Sequence, residues 1–129
     1  MARQRQYELY RDRIGAMLWQ RPDLYLKNSP VLKANEVITP VLLMANKKGE
    51  DVHEQGVEFF TALGRLGKKA WMLQNDNGAH QVFIPGDGKD FFFSYYLKGE
   101  PPPKWMVLGV PATKKGIDSG YELMPETEP

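Results

Sequence analysis

Apolar residues fall in short blocks along this chain, and the spacing within the blocks changes from one to the next. Near the N-terminus, Tyr7, Tyr10, Ile14, Met17 and Leu18 follow one another at three, four, three and one residues. That is the repeat of one helix face, and it predicts a helix within residues 3–19, with Gly15 as its weak point. Pro22 opens a short helical turn from Asp23 to Lys27, which stops before Ser29-Pro30. Val41 to Ala45 is an unbroken apolar run set up by Thr39-Pro40, because a residue before proline favours extended geometry. A run of that length fits a strand buried on both faces, as in parallel sheets.

Beyond a polar loop from Asn46 to Asp51 the period becomes helical, from His53 to Leu66. Val57, Phe60, Leu63 and Gly64 share a face, Phe59 and Leu66 flank it, and Gly67 stands where a helix-ending glycine belongs. Ala70 to Gln74 is a second short, largely apolar strand. Strand, loop, helix, glycine and strand in this order predict a βαβ unit with parallel strands. Asn75 to Asp90, rich in Asn, Asp and Gly, reads as an irregular loop, and the aromatic run from Phe91 to Leu97 as a short helix. After residue 100 the prolines at 101–103, 111, 125 and 129 preclude regular helix. With Trp105, Met106, Leu108 and Val110 as anchors, residues 100–129 predict an extended arm on a core made by residues 13–99.

Composition narrows the function classes. With 129 residues, 42% hydrophobic and 26% charged, the chain is one globular domain or part of one. Seventeen Lys and Arg against sixteen Asp and Glu give no electrostatic reason to expect nucleic acid or an anionic membrane as a partner. There are no cysteines, so disulfides and thiolate metal sites are excluded; with two histidines besides, a dedicated metal site is unexpected, and no cofactor is expected. Residues 1–13 are charged and do not read as a signal peptide, and no run of about 18 apolar residues would span a membrane. The paired lysines at 47–48, 68–69 and 114–115 read as solvated charges, and the aromatic run as packing.

Parallel strands send their following loops to the same sheet edge, so an acid after the first strand would meet a histidine after the second. Glu50 and Asp51 follow the first strand and His80 follows the second. Hydrolases of the α/β class carry a triad in the chain order Ser, acid, His, each on such a loop, and the last two members fit here. Asp51 equally suits the N-cap of the helix that follows it, and His53 reads as a first-turn residue without chemistry.

The wording goes further than the spacing. Ser29-Pro30 with Val37-Ile38-Thr39-Pro40-Val41-Leu42-Leu43-Met44 resembles the segment before the triad acid in the prolyl oligopeptidase family of serine peptidases. Similar to the same family are the stretch from Glu54 to Leu63, its continuation through Arg65-Leu66-Gly67-Lys68-Lys69 to Gln74, and the loop Asn75-Asp76-Asn77-Gly78-Ala79-His80. Tyr95-Tyr96-Leu97-Lys98-Gly99 and Pro102-Pro103-Lys104-Trp105-Met106 resemble the closing helix and tail of one branch. The resemblance covers most of residues 13–124. It implies an α/β fold: the C-terminal portion of an α/β-hydrolase sheet, a parallel βαβ unit with flanking helices, followed by the extended arm. It also implies hydrolysis of peptide substrates, with His80 as general base and then acid and Asp51 orienting its imidazole.

Two departures bear on activity. No Gly-x-Ser-x-Gly elbow is present, and the only serines, Ser29, Ser94 and Ser119, do not stand on strand-to-helix turns of the pattern. Without the nucleophile there is no acyl-enzyme route. The loop from Asn46 to Val52 is also one residue short against the family, with Gly49 near the family acid, so the acid is Asp51, its neighbour Glu50, or lost. The expectation is a chain inactive alone: either an enzyme piece needing an upstream chain or self-association, or a non-catalytic binding module.

Overall fold

The computed structural model describes Glu8 and residues 14–47, 51–75, 88–114 and 117–124. The chain forms two compact units, residues 1–84 and residues 85–129.

In the first unit, helix α1 (Pro22–Lys27) begins with proline at its first position, where no N–H is needed. The predicted helix up to Trp19 is not found: Glu8 is helical, but residues 14–20 form a turn in which Gly15 takes φ +69°. Glycine reaches that left-handed region at no steric cost, and the helix cannot pass through it. Tyr25, 3% exposed, ties this turn to α1 by donating its hydroxyl to the Ala16 carbonyl at 2.7 Å. A 3₁₀ helix, Pro30–Glu36, follows and buries Ala34.

Strand β1 (Val41–Asn46), helix α2 (Asp51–Arg65) and strand β2 (Ala70–Asn75) form the predicted βαβ unit. The two strands pair in parallel, with Val41 opposite Ala70 and Asn46 opposite Asn75. Gly67, at φ +66°, ends the helix. Its N–H donates to Gly64 at 3.1 Å and the Lys68 N–H to Leu63 at 2.9 Å, the paired bonds of a Schellman cap.

Helix α2 packs on one face of the sheet, but not along the stripe its spacing predicts. Leu63 is fully buried and Phe59 and Phe60 are half-buried, whereas Val57 and Gly64 are exposed. The inward stripe is Gly56, Phe59, Phe60 and Leu63, rotated by about one residue. The reason is close approach. A Cβ on Gly56 would lie 3.6 Å from Met72 Cε and 3.9 Å from Ala45 Cβ, so the helix meets the sheet at its glycine. By strand alternation Leu43, Ala45, Met72 and Gln74 face α2, and Leu42, Met44, Trp71 and Leu73 face away. None of the latter four is buried.

In the second unit, helix α3 (Gly88–Phe93) runs into a π-helical turn, Ser94–Lys98, which closes when the N–H groups of Gly99 and Glu100 reach the Ser94 carbonyl. The aromatic run is therefore helical, and it packs as rings: Phe92 on Tyr96 at 5.0 Å and Phe91 stacked on Tyr121 at 5.5 Å.

The tail is not an extended arm. A single helical turn, α4 (Lys104–Val107), starts behind Pro103, and the chain returns to it. Met124 donates to the Pro102 carbonyl, Lys104 to Glu122 and Trp105 to Gly120, closing an antiparallel bridge between Pro103 and Leu123. Prolines exclude long helices but supply carbonyl acceptors, and here one of them anchors the return. Gly120, at φ +66°, permits it, because a Cβ there would sit 2.8 Å from Val110 Cγ2.

Lys104 Nζ donates to Asp118 at 2.9 Å, and the Gly120 N–H donates to the other carboxylate oxygen at 2.8 Å. The Lys104 hydrogen bond, and secondarily the Gly120 amide, hold the Asp118 carboxyl below the ordinary aspartate range. A lowered folded-state pKa contributes stability above the unfolded value and loses it as pH falls through the folded one. In an NMR acid titration, the Gly120 amide should therefore report a midpoint below that of a free aspartate, and Lys104→Met should raise it. An unchanged midpoint in the variant would remove the Lys104 contact from the account.

Candidate active site

The parallel pairing fixes where a triad remnant would gather. The chain leaves β1 and β2 at the same sheet edge, since carboxyl ends of parallel strands point one way. Asp51 is the first residue of α2, immediately beyond the loop that leaves β1. Glu50, the reserve acid, and His80, the predicted base, lie outside the described residues, as does the full span of the loop after β2.

One polar contact at this edge involves His53, which by sequence reads as a first-turn residue without chemistry. His53, in the first turn of α2, has Nε2 at 2.8 Å from Oε1 of Gln74, near the end of β2. An amide oxygen only accepts, so the imidazole donates from Nε2. This bond fastens the start of the helix to the end of the second strand, fixing the exits of β1 and β2 against each other. Its signal in the sequence was Gln74, a polar residue inside an apolar strand on the face turned to the helix.

No described serine stands on a strand-to-helix turn. Ser29 precedes the 3₁₀ helix, and its hydroxyl donates to the Tyr25 carbonyl at 2.6 Å. Ser94 lies in the π-helical turn, and Ser119 in the returning tail. In none of these positions does a described histidine accept from the hydroxyl. Among the described residues no group of three His, Asp or Glu side chains gathers as metal ligands would.

A second concave feature lies in the same unit, between the segment around α1, the 3₁₀ helix, β1 and α2. It is a cavity of about 760 Å³, lined on its apolar side by residues such as Val31, Leu32, Leu43 and Phe59. Its polar rim on α2 is formed by Gln55 and Glu58, whose side chains meet at 3.5 Å. Nothing in the spacing of apolar residues announced it, because it arises where four elements fail to close over one another.

Compared with protein-family models, with curated proteins and with solved structures, the chain finds no match.

Proposed function

We propose that this chain is the C-terminal part of a prolyl oligopeptidase-type serine peptidase domain and that it has no peptidase turnover alone. The observation that carries the reading is the parallel βαβ unit: its two strands end at one sheet edge, one leading to Asp51 and the other towards the segment with His80. The resemblance of that segment, and of residues 29–44 and 54–74, to the family supports it. In this reading His80 is general base and then general acid, and Asp51 holds its imidazole in the tautomer that accepts a proton. The serine and the oxyanion hole come from polypeptide outside this sequence, and the substrate is a peptide.

The missing nucleophile makes the test sharp. Incubated with a fluorophosphonate probe, the chain is expected to show no stoichiometric label and no release from peptide substrates. Stoichiometric modification of Ser29, Ser94 or Ser119 would overturn the reading.

The same absence favours a second reading, a non-catalytic binding module derived from the family. Supplying an upstream polypeptide that carries a Gly-x-Ser-x-Gly elbow separates the two: labelling that depends on His80 supports the enzyme piece, and no labelling in a formed complex supports the module.

A further inference from the structure

The cavity beside β1 has a chemistry of its own, which does not depend on the peptidase reading. At about 760 Å³ it falls within the roughly 300–1,000 Å³ range of small-molecule sites. Its lining divides sharply in character. Val31, Leu43 and Phe59, all half-buried, give it an apolar floor, and the exposed Leu32 adds to its apolar lining.

Three of its polar residues turn their donors to the chain itself. The Tyr25 hydroxyl donates to Ala16, the Ser29 hydroxyl to Tyr25, and the Asn28 amide to Leu24, each to a backbone carbonyl at 2.6–2.8 Å. The hydroxyl donors are thereby used within the chain, and the donors left to a guest are amide hydrogens of Asn28 and Gln55, which carry no charge. Among the described lining residues Glu58 alone carries a full charge at neutral pH, and no lysine or arginine lies among them. A second carboxylate, Glu8, acts on the same region: after burial, its charge is what raises the Tyr25 hydroxyl above the ordinary tyrosine range.

An apolar floor with a negative rim and, among the described lining residues, no cation selects one kind of guest. We propose that this cavity binds a small amphiphilic cation, an ammonium or guanidinium on a hydrocarbon or aromatic body. The body lies on Leu43 and Phe59, and the charged head is held at Glu58. Burial of the body supplies most of the affinity and the carboxylate supplies the choice of sign.

Three probes of matched shape test this on the full chain: 4-phenylbutylammonium, neutral 4-phenylbutanol and anionic 4-phenylbutanoate. NMR titration should shift the signals of Leu32, Leu43 and Gly56 with the first two. The ammonium should bind at least about tenfold more tightly than the carboxylate. Glu58→Gln, on an exposed turn of α2, should bring the ammonium to the level of the alcohol and leave the alcohol unchanged. Three results would each overturn the proposal: no shift at those residues with any probe, a carboxylate that binds as well as the ammonium, or a preference for the ammonium that survives Glu58→Gln.

Discussion

Light scattering after size-exclusion chromatography should give the purified chain a mass above 14.8 kDa that rises with concentration. The expectation comes from the sheet of the first unit. Two parallel strands form it, so each has an outer edge that pairs with no other strand among the described residues. Val41 donates to the Lys69 carbonyl across the ladder at 3.0 Å. Alternation then turns the N–H and C=O groups of Leu42 and Met44 to the outer edge of β1. The same stretch belongs to the face opposite α2, where Leu42, Met44, Trp71 and Leu73 are not buried. An apolar edge strand of this kind templates pairing with another chain, and a two-stranded sheet is marginal in water without cover. A formal charge of +1 supplies little repulsion against it.

Met44→Lys should shift the population towards monomer, because a lysine on an edge strand blocks edge-to-edge pairing. Met44 is 38% exposed, so the ammonium reaches water and the fold need not suffer. A clean monomer of the parent chain with a sharp cooperative melt would show a self-sufficient domain, and the reading as part of a larger peptidase sheet would fall with it.

The parts of the fold that sequence made legible are those written in local chemistry. Val41 to Ala45 has no polar residue to disturb a strand, and Gly67 can take a φ that other residues resist, so strand and cap stand where they were expected. The parallel pairing followed from connectivity, since a helix between two strands leaves little alternative. What failed depended on contacts between elements. Gly15 was visible as a weak point, yet the helix it stopped was expected to run through it. The prolines after residue 100 announced an extended chain. Its return depends on a bond from Met124 to the Pro102 carbonyl and on Gly120, neither of which has a periodic signature. The cavity was illegible for the same reason. As for the site, Asp51 stands as the first residue of α2, one position inside the N-cap place that its spacing suggested, and the contact between His53 and Gln74 emerges only once the helix is laid on the sheet.

The rotation of α2 by one residue leads to the second large effect, a contrast between two positions of one helix. By spacing alone Val57 and Leu63 belong to the same buried stripe; on the sheet, Leu63 is 0% exposed and Val57 39%. Leu63→Ala removes apolar volume from a site closed on all sides and leaves a cavity, a change that costs about 2–5 kcal/mol. For a unit of roughly 60–100 residues each kcal/mol moves Tm by about 4–8 °C, so a fall on the order of 10 °C or more is expected. Val57→Ala removes atoms that are partly in water already. It also replaces a β-branched residue with the best helix former, a gain of up to about 0.7 kcal/mol that offsets the lost contact. Its melt should lie within about 4 °C of the parent. Both variants are to be melted at the parent's protein concentration, because association shifts apparent stability. Equal losses at the two positions would restore the stripe read from spacing and displace Gly56 from the point where helix and sheet meet.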